Sequence, residues 1–386
     1  MSAIKILFWI AVLLLAYIYF GYPLLLYLLS FFRRSWLRTD ETYQPIVSLI
    51  IAAYNEEEVI GDKIENSLQL DYPRDKLEII VFSDASTDRT DEIVKSYAGQ
   101  GVKLLRIEGR KGKTYCQNEA AKIAQGEILV FSDANSMYEP DAIRKLVRHF
   151  ADERVGCVSG ELRYRSDKGG VEGERTYWKY EQIIKRLESR VSSVVGVNGS
   201  IYAVRQGLFE PLPSDVLEDF VRPLRLVQKG YRVIYEPNAV NREPTAPNPS
   251  REFRRRVRIV TQSVYSLFKD KSLRALLNPF RYGVFSIQLW SHKVLRWLSG
   301  LFLLLIFALN IPLLGQGTVY IITMAGQGAF YLLAFWGFIS EAVLNRRAPK
   351  LPHIAYYFCL SCYAMLKGVY NGLRGRTIVT WQPRGM

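Results

Sequence analysis

Histidine and cysteine are scarce: the chain holds three of the first (His149, His292 and His353) and four of the second. Three scattered histidines leave no ready zinc triad and no His-based hydrolase. Four cysteines in 386 residues make no disulfide framework. Cys116 and Cys157 fall in segments that read as helix and strand, so both are expected in the core. Cys359 and Cys362 have Cys-x-x-Cys spacing but lie inside an apolar run with no second pair beside them. Two phosphate fingerprints are also missing. No G-x-G-x-x-G follows the first strand-like segment, which argues against a dinucleotide oxidoreductase, and the absence of G-x-x-x-x-G-K-S/T argues against a P-loop nucleotidase. Acidic side chains run short as well, 37 against 51 Lys plus Arg, for a formal charge of +14. No nucleic-acid motif claims that excess, so anionic lipid or a phosphorylated ligand is its expected partner.

Apolar residues make up 49% of the chain and aromatic residues 13%, which excludes disorder. At roughly 150 residues per domain, 386 residues imply two or three domains. The apolar residues crowd the two ends. Ile6 to Phe32 contains no charge, and as a helix it spans about 40 Å, more than a hydrocarbon core of about 30 Å. Lys5 precedes this run while Arg33, Arg34 and Arg38 follow it, so the positive-inside rule places the following domain in the cytoplasm. Trp297 to Ser340 is also uncharged and breaks at Gly315-Gln316-Gly317-Thr318, which reads as the turn of a two-span hairpin with Lys293, Arg296, Arg346, Arg347 and Lys350 on its outer flanks. Leu351 to Leu366 is shorter and is followed by Lys367, Arg374, Arg376 and Arg384. It reads either as an interfacial or re-entrant helix or as a fourth span. Between these regions, Arg251 to Leu298 interleaves Arg254, Arg255, Arg256 and Arg258 with Phe280, Tyr282, Phe285, Leu289 and Trp290, a pattern suited to the headgroup level of a bilayer.

From Pro45 to about Tyr235 short apolar runs alternate with amphipathic stretches. Ile46–Ala53, Leu77–Ser83, Val102–Ile107 and Ile128–Ser132 read as strands; the segments ending at Leu70, Ala98, Ala124 and Phe150 read as helices. Strand, helix, strand, helix is the signature of an α/β domain with a mostly parallel, Rossmann-like sheet. Ligands bind outside the carboxyl ends of such strands. Three polar clusters stand there: Tyr54-Asn55-Glu56, Ser83-Asp84-Ala85-Ser86-Thr87-Asp88, and Ser132-Asp133-Ala134-Asn135-Ser136. Each also suits a helix cap, the reading preferred for Asp88 and Ser136. Gly109-Arg110-Lys111-Gly112-Lys113 is basic and flexible enough to face a diphosphate.

Ala53-Tyr54-Asn55-Glu56, Ser83 to Asp88, Gly112-Lys113 with Asn118-Glu119-Ala120, Asp133-Ala134-Asn135 and Glu218-Asp219 follow in an order that resembles the family 2 glycosyltransferases. These are membrane-associated inverting enzymes with one nucleotide-sugar domain of the A type. The likeness covers about Pro45 to Arg258 and looks most like the hyaluronan, cellulose and poly-N-acetylglucosamine synthase branch. It implies transfer of a hexose or N-acetylhexosamine from a UDP-sugar to a lipid or glycan acceptor, at the cell membrane, with a processive synthase as the alternative. It implies that Tyr54, Asn55, Glu56, Asp84 and Lys113 hold the uridine end and that Asp133 lies at the ribose and diphosphate. Asp219, beside Glu218, matches the catalytic base; a Glu-Asp pair that merely complements a helix N-terminus is the plainer alternative. Trp178, Gly199, Arg255 and Arg256 fall on the acceptor and diphosphate side.

Two departures stand out. Asn135 occupies the second position of the Asp-x-Asp metal motif, where an amide oxygen can ligate Mg²⁺ or Mn²⁺ but brings no charge. Phe253-Arg254-Arg255-Arg256-Val257 replaces Gln-x-x-Arg-Trp, so the ring that stacks on a growing polymer is absent. Trp381 is a distant substitute if the tail is cytoplasmic. The expected division is a transmembrane helix (1–40), the cytoplasmic transferase domain (41–250), interfacial helices (251–292), a transmembrane hairpin (293–345) and a last apolar segment with a basic tail (346–386).

Overall fold

Every side chain of the apolar run Val47–Ala53 is buried, because helices cover both faces of the sheet that this strand enters. Val47, Leu49, Ile51 and Ala53 face one apolar layer and Ile50 and Ala52 the other. The computed structural model describes residues 3–32, 37–165, 172–244, 249–344, 346 and 348–376. Arg33, Arg34, Arg347, Trp381 and Arg384, invoked above for flanking charge and for the tail, lie outside the described residues.

Eight strands make one sheet: β1 (Val47–Ala53), β2 (Leu77–Asp84), β3 (Val102–Ile107), β4 (Ile128–Asp133), β5 (Met137–Tyr138), β6 (Val155–Arg165), β7 (Ile201–Arg205) and β8 (Arg232–Pro244). Their order is β3-β2-β1-β4-β7-β6-β8-β5. The first four run parallel, as the alternation of strands and helices predicts. β7 joins antiparallel to both β4 and β6, and β8 lies parallel to β6. The sheet is therefore mostly parallel with an irregular far half. Cys116 and Cys157 are buried and free, as expected of core residues. Asp88 stands one residue before the N-cap Arg89 of the helix Thr90–Ser96, and its Oδ1 accepts from the Thr90 amide at 3.0 Å. Ser136 does not cap; its hydroxyl donates to Glu243 Oε1 at 2.8 Å, because β8 brings a buried carboxylate beside it.

Among the described residues, three helices are long and apolar enough to cross a membrane: Ala3–Phe32, Ser299–Gln316 and Thr318–Val343. The first exceeds the span it needs for a structural reason. Its early part packs Phe8 and Ala11 against Ile306, Leu313 and Tyr320 of the hairpin, whereas Tyr22 and Leu26, beyond a π-helical turn at Tyr17–Gly21, pack on Ile184, Leu187 and Val191 of the α/β domain. The start of the chain and the hairpin turn thus share one end, and the α/β domain occupies the other.

The last apolar segment forms the helix Lys350–Leu373, which is not one of the three spans. It touches Gly337 and Gly300, at the domain-side ends of both hairpin helices, and then runs along the basic helix Pro249–Lys269. Contact there is backbone-close: a Cβ on Gly368 would stand 2.6 Å from that of Val260, so only glycine allows the approach. Of the aromatic and apolar residues expected at headgroup level, Phe280 is 98% exposed and Trp290 39%, while Phe285 and Leu289 are core residues.

Candidate active site

The carboxyl ends of β2, β1 and β4 lie side by side, so the three polar clusters of the sequence meet on one rim. They are stitched together. The Asn55 amide donates to Ser86 Oγ at 3.1 Å, the Thr87 amide to Asn55 Oδ1 at 2.8 Å, and the Glu56 amide to Thr90 Oγ1 at 2.8 Å. Among the described residues, the non-glycine residues with positive φ are Asn55 (51°), Ala85 (58°) and Arg110 (46°), all on this rim. Left-handed backbone at such residues costs about 1–3 kcal/mol and persists only where surroundings impose it, most often at ligand sites.

Asp84 is fully buried, and its carboxylate accepts from the Lys111 amide at 2.7 Å and the Gly112 amide at 3.0 Å. It therefore shapes the basic loop. The Arg110 guanidinium from that loop stacks 3.4 Å over the Tyr54 ring, placing a cation on an aromatic floor.

Lys113 opens the helix Lys113–Ile123 and is the hub. Its Nζ lies 2.6 Å from Asp133 Oδ1, 3.3 Å from the Gly199 carbonyl and 3.5 Å from Glu218 Oε1. Burial pulls this ammonium down, but Asp133 and Glu218 outweigh it and hold the group above its ordinary value, so Lys113 is a permanent cation. The same helix fixes the segment opposite. Asn118 clamps Leu212 through both amide groups, at 2.7 and 3.1 Å, and Thr114 Oγ1 donates to the Val216 carbonyl at 3.1 Å and to Glu218 Oε2 at 3.3 Å. That anchoring follows the Pro211–Pro213 bend and sets where the helix Glu218–Gln228 begins. Glu218 consequently turns inward to Lys113 and Thr114.

Asp219 is half-buried, in the first turn of that helix. Burial and then Glu218 raise its carboxyl to about 7, against the opposing pull of Lys113, Lys293 and Lys185. A Cβ at Gly199 would stand 2.8 Å from Asp219 Oδ2, so the carboxylate fits only because that position is glycine. The Val197 amide donates to the Asp219 carbonyl at 3.0 Å, tying the loop before β7 to the same turn.

The other sequence-selected residues divide. Arg255 pairs with Glu252 at 3.3 Å; burial pulls it down, and Tyr164 and Glu252 beside it more than compensate. Trp178 packs edge-on against that Tyr164, ring centroids 5.4 Å apart, so Arg255 and Trp178 share one corner. Arg256 turns away, to Glu252 at 3.1 Å and the Tyr357 hydroxyl at 3.1 Å on the last helix. Three cations were not read as site residues from the sequence. Arg258 senses Glu218, Asp219 and Asp133, and Lys185 and Lys293 sense Asp219. Arg258 stands three residues after Arg255, on one helix face, a spacing visible in advance; the lysines carried no such signal.

No group of three His, Cys, Asp or Glu suited to a metal exists among the described residues. Asp133 Oδ2 and the buried Asn135 amide nevertheless make no hydrogen bond among them, leaving two oxygens on this rim open to a ligand. One carboxylate and one amide are a partial set for a hard divalent ion, fitting it only with oxygens supplied by a bound diphosphate.

This rim, on a mostly parallel sheet with a carboxylate-bearing helix across it, defines an A-type glycosyltransferase fold. Residues 48–209 match the family model described as Glycosyl transferase family 2. Over 219 residues it is 29% identical to a poly-beta-1,6-N-acetyl-D-glucosamine synthase of Staphylococcus epidermidis, covering 54% of this chain and 52% of that one. The synthase of Staphylococcus aureus strain COL is 26% identical over 269 residues, 66% of this chain and 64% of the other. The chain thus spans about half to just under two thirds of these relatives. A solved structure, the mannosyltransferase PcManGT from Pyrobaculum calidifontis in complex with GDP-Man and Mn²⁺, superposes with a TM-score of 0.73 at 25% identity, over 96% of this chain and 99% of that one.

Proposed function

We propose that the protein is a membrane-held inverting glycosyltransferase that moves a hexose or N-acetylhexosamine from a UDP-sugar to a membrane-associated or growing glycan acceptor. The observation that carries this reading is the join between Lys113 and Asp219: the ammonium touches Asp133 on one side and, on the other, the carbonyl of the glycine that makes room for the Asp219 carboxylate. A leaving-group cation and a base therefore flank one space. The Asp219 carboxylate takes the proton of the acceptor hydroxyl as its oxygen bonds to the anomeric carbon from the face opposite the diphosphate. The carbon–oxygen bond to the diphosphate breaks, and Lys113 stabilises the negative charge released. Direct displacement inverts the anomeric centre. A divalent cation, Mg²⁺ or Mn²⁺, held by Asp133 and Asn135 would add positive charge at that diphosphate. Tyr54, Asn55, Glu56 and the loop braced by Asp84 form the nucleoside end, and Trp178, Arg255 and Gly199 the acceptor side. The three apolar helices support a multi-pass membrane protein, and the basic residues that follow the first of them favour an α/β domain on the cytoplasmic side.

The test is release of free nucleoside diphosphate from purified protein in detergent, screened over UDP-glucose, UDP-N-acetylglucosamine and GDP-mannose. Turnover with a UDP-sugar that Asp219→Asn abolishes supports the assignment; turnover with GDP-mannose alone changes the donor, and no release with any donor removes the reading. A second reading, a processive synthase that polymerises and translocates its product, is favoured by the names of the staphylococcal relatives. Val257 in place of a stacking tryptophan weighs against it, and the length distribution of labelled product separates the two.

A further inference from the structure

Three cations, Lys185, Lys293 and Arg258, converge on Asp219 and share that one carboxylate among them. Lys293 Nζ is 3.9 Å from where a Cβ on Gly196 would lie, and that same point is 3.7 Å from the Asp219 carbonyl. Lys185 Nζ donates to Asn198 Oδ1 at 2.5 Å, one residue before the glycine that admits the Asp219 carboxylate. Arg258 approaches from the basic helix on the side of Glu218 and Asp133. None of the three makes an ion pair among the described residues, whereas Lys113, Arg255, Arg256 and Arg296 all do. The two other carboxylates that act on Lys185 are engaged elsewhere: Glu188 holds the Tyr22 hydroxyl at 2.5 Å and His292 Nδ1 at 2.8 Å, and Glu181 holds His292 Nε2 at 3.1 Å and Arg296. Burial, the larger effect, brings Lys185 down to about 8, against the opposing pull of Glu181, Asp219 and Glu188.

A neutral sugar hydroxyl needs a base and hydrogen bonds but not three unpaired cations, and a carboxylate would answer only one of them. A phosphate, with up to two charges and several acceptor oxygens, matches the set. We propose that Lys185, Lys293 and Arg258 bind a phosphate carried by the acceptor and so deliver its neighbouring hydroxyl to Asp219. This rests on the transferase reading and names the acceptor class for the same site. The position favours a phosphate held at the membrane. Lys293 sits on a π-helical turn (Trp290–Val294) just before the hairpin helix at Ser299, and Lys185 shares a helix with Tyr180, whose hydroxyl donates to the Tyr19 carbonyl of the first span at 3.1 Å.

The experiment has a binding arm and a turnover arm, both on the full chain in detergent. In the first, titration calorimetry with farnesyl phosphate, glucose 6-phosphate and octyl glucoside reads affinity without any donor. Binding of a phosphate probe, weakened about tenfold or more by Lys185→Met and Lys293→Met and restored by Lys185→Arg and Lys293→Arg, is expected. Preference for farnesyl phosphate identifies a lipid source, and preference for glucose 6-phosphate a soluble one. In the second, with glucose 6-phosphate as the acceptor because it carries both a phosphate and free hydroxyls, the same methionine variants raise its KM by a similar factor while the donor KM moves less than about threefold. Equal use of octyl glucoside, no phosphate binding by the unaltered protein, or methionine and arginine variants that behave alike would overturn the proposal. Failure of the transferase reading is seen separately, as phosphate binding without nucleotide release.

Discussion

Gly199 and Asp219 compete for one volume: a methyl carbon on the glycine would stand 2.8 Å from the carboxylate oxygen. The contact is to the side chain of Asp219 and not to its backbone, so the cheapest relief is rotation of the carboxylate. Gly199→Ala should therefore displace the base while leaving the rim that faces the donor in place. Turnover is expected to fall at least about a hundredfold, with donor affinity changed less than about threefold and stability lowered by about 1–3 kcal/mol from overpacking. Steady-state rates beside a donor-binding titration measure both.

Asp219 and Asp133 should respond differently to removal. Asp219→Asn keeps shape and hydrogen bonding but cannot accept a proton, so donor affinity should stay within about twofold while turnover falls by about 10²–10⁴. Asp133→Ala removes the 2.6 Å partner of Lys113 and leaves that ammonium facing only Glu218 and the Gly199 carbonyl, so both binding and turnover should fall. Equal loss of donor binding in the two variants would contradict the division of roles.

The base should also be visible in pH profiles. Asp219 is raised to about 7, chiefly by burial and next by Glu218, and must be ionised to act. Rate should therefore climb as pH rises through about 7. The charged groups around it are Glu218, Lys113, Lys185, Lys293 and Arg258, and loss of a lysine moves the limb to higher pH. Stability has the opposite sign. A carboxyl raised above its unfolded value favours the folded state below the unfolded pKa, and that contribution is lost as pH rises through the folded one. Asp219→Asn should accordingly melt higher than the parent at pH 8, with a smaller difference at pH 4; a pH-independent difference would show that the carboxyl is not strained.

The legible part of this protein is the part where polarity follows the pleat. β1, β2 and β4 are apolar runs ending in Asp and Asn, so the parallel half and its rim could be read before any coordinates. β6 and β8 could not, because Glu161, Asn241 and Glu243 are buried on them and satisfy one another's neighbours, Tyr235, Ser200 and Ser136. Buried polar pairs between distant segments erase the alternation that marks a strand. The site divides the same way. Lys113, Asp133, Gly199 and Asp219 sit at element ends, where sequence position predicts placement, and they converge. Lys293 was read as flanking charge for a span, and only the packing of Phe220 against Trp297 and of the base helix on Val260 and Val264 brings that segment to the site.

Asn135 offers the sharpest test of how the diphosphate is held. It is 8% exposed, two residues past Asp133, and its amide makes no hydrogen bond among the described residues. Lys113 already faces two carboxylates, Asp133 and Glu218, so a neutral residue at 135 keeps a third negative charge off the rim. Asn135→Asp adds a second anionic oxygen donor. It should raise apparent Mn²⁺ affinity by about tenfold and make turnover more strongly metal-dependent, while lowering residual metal-free activity because the added charge repels the diphosphate. Titrating MnCl₂ and MgCl₂ into chelator-treated parent and variant measures this directly; identical metal curves would show that position 135 is no ligand.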